Sequence, residues 1–262
     1  MYPTNMIEER KLKEIEYYDA EAKSSSGSSK EAGSLQTFDP FFLESYQFVK
    51  RVLEKGYEQK TVLDYGCGSG IHVSWLAKAF NKVVGVDLSQ NSLAKAKEIV
   101  KKEGIENKVS LIVGDCENLE FPEGSFDVVF DGGTFSSLEL DIALRQIHRV
   151  LKPGGLLVGI ETLGHNPITN LKRKLNEVLG KRTSWAAHHI FKVQDLELVK
   201  KYFDIVQVRF YHITSWAAIP FLNLPGGKVF LKFLETVDHL LIKTFPFLKK
   251  YSFKIAFVFS KK

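Results

Sequence analysis

The stretch VLDYGCGSG at Val62–Gly70 decides the fold, because it leads from an apolar strand into a helix through a loop with glycine at every second position. Glycines let the backbone turn sharply and carry no Cβ to keep a ligand away. Asp64 lies at the carboxyl end of the strand, where open α/β sheets bind their ligands. A second apolar strand, Lys82–Val86, ends in Asp87, which is placed to accept hydrogen bonds from a ribose diol. The two strand ends predict a site for a nucleoside-containing cofactor.

The spacing of the glycines distinguishes between nucleoside cofactors. A dinucleotide-binding loop has the pattern G-x-G-x-x-G and points a helix N-terminus at a pyrophosphate. This loop has the pattern G-x-G-x-G, with Asp64 two residues before the first glycine. A carboxylate at that position repels a pyrophosphate but suits a cationic amino-acid group. A nicotinamide-dependent oxidoreductase is therefore disfavoured, and a tight strand-to-helix turn without any ligand is the simpler structural alternative.

Two stretches carry a resemblance to a known family. Leu63–Gly70 closely resembles motif I of the class I S-adenosylmethionine-dependent methyltransferases. Arg149–Val158, a helix end followed by a Pro-Gly-Gly turn and a strand, resembles the segment before the fifth strand in methyltransferases of ubiquinone and menaquinone biosynthesis. The resemblance covers Phe48–Glu161 and, more loosely, the final strands. It implies an α/β fold with a doubly wound, Rossmann-like sheet of six parallel strands and one antiparallel strand, with helices on both faces.

The order of apolar segments agrees with that fold. Strands and helices alternate over residues 61–160, which is typical of a parallel sheet covered on both faces. The last two strands are predicted at Phe203–Tyr211 and Ser252–Ser260. Residues 1–35 are predicted to form a helix and a flexible Ser/Gly-rich linker or lid, and residues 36–262 the methyltransferase domain.

By position, the resemblance implies cofactor-binding roles for ten residues: Asp64, Gly66, Cys67, Gly68, Gly70, Asp87, Leu88, Asp115, Cys116 and Asp131. S-adenosylmethionine is the implied cofactor. Asp64 would contact its methionyl amino group, Asp87 its ribose hydroxyls and Asp115 the exocyclic amine of its adenine. Leu88 and Cys116 would pack against the adenine ring. The alternatives are a helix-capping role for Asp64 or Asp87 and an Asx-turn at Asp115.

The candidate catalytic residues are His165, His188 and His189, in loops that the fold places at the substrate end. An imidazole titrates near the working pH and can act as a general base; the alternative is that these side chains only close the loops by hydrogen bonds. Asp131 is also a candidate base or metal ligand, but only Glu161 is well placed beside it. A divalent cation needs more oxygen ligands than two, so no metal site is predicted.

Composition limits the class of protein. The chain has 262 residues, of which 44% are hydrophobic and 26% charged, values typical of one globular α/β domain with additions. A net charge of +5 permits contact with anionic surfaces without indicating nucleic acid. Among the enzymes that the chain resembles, those that methylate nucleobase amines carry prolines after the acid at the position of Asp131; this chain has none, so no nucleic-acid partner is expected. Two cysteines indicate a reducing compartment. Without an N-terminal apolar run or an apolar stretch of spanning length, we expect a cytoplasmic protein that is open to association with a membrane.

Residues 212–250 form an unusually apolar insertion between the last two predicted strands. From Gly227 onward, apolar residues recur on one side of a helix and lysines and acids on the other. This side could pack on the domain as a helical cap, cover an apolar substrate tunnel, or lie in a membrane interface. The sequence thus favours methyl transfer to an O, N or C nucleophile of a small, apolar or lipid-like molecule. The alternative of another class is a non-catalytic scaffold that binds a partner or a membrane through the insertion.

Overall fold

The computed structural model of the chain describes residues 4–24, 42–54 and 56–262, with the side chains of residues 9–23 in the first helix. Seven strands form one sheet: β1 (Thr61–Tyr65), β2 (Lys82–Asp87), β3 (Val109–Val113), β4 (Phe126–Asp131), β5 (Leu151–Thr162), β6 (Phe203–Tyr211) and β7 (Lys254–Lys261). Their order is β3-β2-β1-β4-β5-β7-β6, and β7 runs antiparallel to both its neighbours. The predicted fold is confirmed. The predicted linker within residues 25–35 lies outside the described residues.

Nine α-helices are present in the described ranges: α1 (Thr4–Ser24), α2 (Glu44–Leu53), α3 (Val73–Ala79), α4 (Gln90–Glu103), α5 (Leu140–Val150), α6 (Pro167–Val178), α7 (Ser184–His188), α8 (Asp195–Val199) and α9 (Gly227–Thr244). Neighbouring strand residues enter different cores because successive side chains point to opposite faces. Val62 packs with α2 and α3 on one face, and Leu63 packs with α5 and α8 on the other. The sheet is therefore buried on both faces.

Two helix starts show which local signals were informative. The Ser89 side chain accepts a hydrogen bond from the backbone N–H of Ser92 (3.0 Å) and caps α4, so Asp87 does not serve as this cap. Asn166 caps α6 in the same way, with Pro167 at the first helical position. The pair Asn166-Pro167 is a standard helix-start signal. It was not used in the sequence analysis, and α6 was not predicted.

The insertion between β6 and β7 folds as the predicted helix α9, flanked by the 3-10 turns Ser215–Phe221 and Pro246–Tyr251. Only some of its apolar side chains face the domain: Leu231 is buried in the core and Leu234 packs against it. Glu235 and Asp238 are buried, whereas Val229, Phe233 and Leu240 are each more than 60% exposed. The helix therefore packs on the domain through a mixed side of leucines and acids, and part of the predicted apolar face is turned to solvent.

Backbone N–H groups explain why two acids of α9 face inward. The Asp238 carboxylate accepts from the Thr214 N–H (2.7 Å), the Thr214 hydroxyl (2.7 Å) and the Ser215 N–H (3.1 Å), at the start of a 3-10 turn. Glu235 accepts from the Glu44 N–H (3.1 Å) at the start of α2. A buried carboxylate is tolerated where it satisfies donors that would otherwise be unpaired. The two acids hold α9 against the domain.

Every helix within the described ranges is too short or too polar to cross a membrane.

Replacing Asp238 by alanine is expected to lower the free energy of unfolding by about 2–3 kcal/mol, because three buried donors lose one charged acceptor. Urea unfolding followed by circular dichroism measures this change. The exposed Glu197, which pairs with Lys200 on the surface, provides the matched control, since Glu197→Ala should change stability by less than about 0.5 kcal/mol. Equal effects of the two substitutions would contradict the anchoring role of Asp238.

Candidate functional site

A cavity of about 300 Å³ opens beside the glycine-rich loop, at the carboxyl ends of β1, β2 and β4. The structure brings seven of the ten predicted cofactor residues into its lining: Gly66, Cys67, Gly68, Asp87, Leu88, Asp115 and Cys116. Asp64, Gly70 and Asp131 lie behind this lining, in or next to the strands and helices that form it. The loop Gly132–Thr134 and one side of α1 complete the wall.

The three glycines of the loop all have positive φ angles, of 68° at Gly66, 50° at Gly68 and 80° at Gly70. L-residues with a side chain rarely adopt such angles, which accounts for glycine at all three positions. A Cβ on Gly66 would overlap Thr134, and one on Gly70 would lie 2.9 Å from the Cβ of Ala96. At Gly68 a Cβ would meet no atom within 4 Å. Gly68 is therefore the point where the backbone is open to the cavity.

Asp87 connects the loop to the next helix. One carboxylate oxygen accepts a hydrogen bond from the Gly68 N–H (2.9 Å), and the other accepts from the Ser89 N–H (2.9 Å). Burial raises the pKa of Asp87, and these two backbone hydrogen bonds act in the opposite direction. Because the carboxylate lines the cavity and keeps free lone pairs, it can accept further hydrogen bonds from a ligand.

Asp64 is the most unusual acid in the site. It is 1% exposed, and neither carboxylate oxygen has a hydrogen-bond partner among the described residues. Burial, followed by the charge of Asp87, raises the pKa of Asp64 to about 8. A buried polar group without a partner is costly and marks a position where a ligand can supply one. The chemistry of a buried carboxyl favours a cationic or hydrogen-bond-donating group.

Helix α1 closes the cavity from the side opposite the loop. Arg10 forms a buried ion pair with Glu117 (2.6 Å), and the Lys11 ammonium contacts Asp115 (2.6 Å). Further along α1, the Tyr18 hydroxyl lies 3.2 Å from the hydroxyl of Ser137. Asp115 also accepts from the Glu117 N–H, which makes the Asx-turn weighed as the alternative. The structure thus gives Asp115 a turn contact and a lysine contact at once.

Two buried carboxyl groups, Asp131 and Glu161, shape the loop at the far end of the cavity. Asp131 accepts from the Thr134 N–H (3.0 Å), and Glu161 accepts from the Phe135 N–H (2.7 Å). Burial and the charge of Glu161 raise the pKa of Asp131 well above its usual range. Burial also raises the pKa of Glu161, but the Phe135 N–H and the Lys254 charge oppose that rise. Both pKa shifts favour the protonated form, and the rise is larger at Asp131. In the described residues no group of three or more metal-binding side chains gathers here or elsewhere.

His72 is a site residue that the sequence analysis missed. It is buried, lines the cavity and leaves Nε2 without a hydrogen-bond partner in the described chain. Its ring stacks on Tyr46, with centroids 6.0 Å apart, and lies so close to Gly132 that a Cβ there would overlap it. Burial lowers the pKa of His72 to about 3, so the imidazole is neutral. Its position two residues after Gly70 was the only available signal.

None of the three predicted catalytic histidines is part of the cavity lining formed by the described residues. His165 Nε2 accepts from the Val193 N–H (3.2 Å). His188 Nδ1 donates to the Ser184 carbonyl (2.8 Å), and His189 Nδ1 donates to the Trp185 carbonyl (2.9 Å). These contacts support the alternative of loop and helix-end hydrogen bonding. A general-base role for these histidines stays a prediction.

Comparison with known proteins gives a consistent picture. Residues 63–159 match the family model of the methyltransferase domain. A demethylmenaquinone methyltransferase from Geobacillus stearothermophilus is 40% identical over 107 residues, which cover 39% of this chain and 45% of the relative. A sterol 24-C-methyltransferase from Pneumocystis carinii (strain B80) is 36% identical over 108 residues, which cover 40% of this chain and 28% of the relative. The chain thus spans less than half the length of either curated relative.

The fold is shared more widely than the sequence. The solved structure of a geranyl diphosphate methyltransferase in complex with GPP and sinefungin matches 82% of this chain and 76% of its own, with a TM-score of 0.61 and 16% identity. The family resemblance carried by the glycine-rich loop and the Pro-Gly-Gly turn is confirmed. Residues 63–159 belong to the methyltransferase-domain family, and the chain around them has the class I methyltransferase fold.

Proposed function

We propose that the protein is an S-adenosylmethionine-dependent methyltransferase. The observation that carries the proposal is the buried, unpaired carboxyl of Asp64 directly before a glycine-rich loop that opens into the cavity at Gly68. S-adenosylmethionine has an α-ammonium group, a ribose diol and an adenine. The carboxyl ends of β1, β2 and β3 offer a partner for each, in that order: Asp64, directly behind the cavity lining, and Asp87 and Asp115, within it.

The cofactor supplies a methyl group on a positively charged sulfur, which is a good leaving group. The protein then has to position this group against the acceptor and exclude water. Gly68 lets the backbone approach the cofactor, Asp87 orients the ribose, and α1 covers the cavity. The neutral imidazole of His72 and the loop Gly132–Thr134 lie at the end where the acceptor would enter. No charged base is required for such a displacement when the acceptor is already nucleophilic.

We propose a small, apolar or lipid-like acceptor that offers an O, N or C nucleophile. The relatives named for demethylmenaquinone and for a sterol, and the structural neighbour that holds geranyl diphosphate, support this substrate class. A non-catalytic scaffold remains the alternative from another class. The unpaired Asp64 argues against it, since a scaffold gains nothing from a buried carboxyl without a partner.

We propose further that the insertion at residues 212–250 makes peripheral contact with a membrane and that the protein resides in the cytoplasm. The outward-facing apolar side chains of α9, with Lys228, Lys232 and Lys243 beside them, support the membrane contact. The two buried free cysteines agree with a reducing compartment.

Asp64→Asn is expected to weaken binding of S-adenosylhomocysteine by about 10- to 100-fold, because a charge-assisted contact to the ammonium group is replaced by a neutral one. Isothermal titration of the cofactor-free protein measures this change, with NAD as the ligand control. Asp204, an exposed acid on β6, gives the control variant Asp204→Asn, which should bind like the wild type. Unchanged affinity of Asp64→Asn, or binding of NAD in place of S-adenosylhomocysteine, would refute the proposal.

The free energy of unfolding of the cofactor-free protein is expected to depend on pH because of Asp64. Its native pKa of about 8 lies above the unfolded value of about 3.9, so the native state keeps a proton that the unfolded state has released between these two pH values. The stability contributed by this group is full below about pH 4 and falls as the pH rises towards 8, by at most about 1.4 kcal/mol per pH unit.

The amide side chain introduced by Asp64→Asn does not titrate, so the stability of this variant relative to the wild type should increase between pH 5 and pH 8. Denaturant unfolding at the two pH values, without cofactor, measures this trend. Asp204→Asn should show no such trend. A difference between Asp64→Asn and wild type that is independent of pH would mean that Asp64 is ionised in the cofactor-free protein.

A further inference from the structure

A second outward-facing apolar surface lies on α6, outside the insertion. Four of its side chains and that of the residue directly after it are each more than half exposed: Ile168, Leu171, Leu175, Val178 and Leu179. They recur every three or four residues and therefore share one side of the helix. The opposite side is anchored by the buried Arg173, which donates to Asn170 (2.6 Å) and to the Leu163 carbonyl (3.1 Å). The apolar side of α6 is thus turned away from the domain, because its polar side is the anchored one.

The surfaces of α6 and α9 lie at the same end of the sheet, where β5 ends and β7 begins. β5 ends where the antiparallel β7 begins, since Thr162 pairs with Lys254, so α6 leaves this edge where the insertion returns to it. The Asn166 amide donates to the Tyr251 carbonyl (2.8 Å), which joins the cap of α6 to the last turn of the insertion. Phe247, in that last turn, is 66% exposed.

The exposed charges around α6 and α9 are mainly positive. Lys172 and Lys174 are exposed on α6, and Lys249 and Lys250 are exposed at the end of the insertion. The acids of α9, Glu235 and Asp238, are buried in contacts with backbone N–H groups. Apolar rows bordered by lysines are the pattern of helices that lie in the interface of a bilayer with anionic lipids. A second copy of the chain would bring these lysines against each other.

We propose that α6 and α9 together form one docking surface for an anionic lipid bilayer. This inference rests on the proposed membrane contact of the insertion and extends it to α6. The segment that follows α6 contacts helix α1 over the cavity, since the Tyr17 hydroxyl donates to the Lys181 carbonyl (2.7 Å) and Glu14 pairs with the hydroxyl of Thr183. Docking through α6 therefore holds the cavity wall next to the lipid phase from which an apolar acceptor comes.

The test uses the full chain and co-sedimentation with vesicles of phosphatidylcholine and phosphatidylglycerol in equal parts. Wild type should bind, and vesicles of phosphatidylcholine alone should bind more weakly. The α6 variant Leu171→Ser/Leu175→Ser and the α9 variant Val229→Ser/Phe233→Ser should each lower the affinity by about tenfold or more. Val206→Ser on β6, where the side chain is equally exposed (61%), should not change it. Lys172→Gln/Lys174→Gln should weaken binding to the anionic vesicles only.

The outcomes separate the two proposals. Loss of binding in the α9 variant with full binding in the α6 variant overturns the joint surface and leaves the contact of the insertion intact. Failure of the wild type to bind overturns both. A dimer in solution that dissociates on Leu171→Ser/Leu175→Ser identifies a second copy as the occupant and also overturns the inference. Thermal unfolding of each variant checks that the exposed substitutions leave the fold unchanged.

Discussion

Two hydrogen bonds to the Asp87 carboxylate join the glycine-rich loop to the start of α4, and the rest of the cavity is arranged around them. They require the Gly68 N–H to point into the space beyond β2, which in turn requires the positive φ angle that only glycine adopts freely. Ser89, next to the same carboxylate, caps α4. One acid thus sets the path of the loop, the origin of the helix and the floor of the cavity.

The neighbouring acid Asp64 lacks a hydrogen-bond partner among the described residues, and the ligand-binding chemistry of the site depends on this. Asp64 lies on β1 in register with Gly85 of β2, the one position of that strand without a side chain. Asp87 accepts hydrogen bonds from two backbone N–H groups, whereas Asp64 accepts none among the described residues. A protein interior tolerates such a carboxyl only at a cost in stability. That cost is the physical argument that the site is built for a ligand.

Much of this arrangement was predictable because it depends on local sequence. The strand ends, the glycine loop and the acids that follow β1, β2 and β3 are short-range features, and they fell where the patterns indicated. His72 was missed because its burial depends on Tyr46 and Gly132, which come from distant parts of the chain. The orientation of α9 could not be predicted from the sequence either. Its periodicity defined an apolar side, but whether that side faces inward depends on the donors at Glu44, Thr214 and Ser215.

Helix α1 has a kinetic consequence, because it is a wall of the cavity as well as the start of the chain. Exchange of product and fresh cofactor past this helix would break the contacts of Arg10 with Glu117 and of Lys11 with Asp115. Both contacts are between opposite charges, and in the proposed cofactor complex Asp115 would release a lysine before it accepts an adenine amine. The residence time of the spent cofactor would then depend on how fast these two ion pairs open. Selection could change that rate without altering any residue that touches the transferred methyl group.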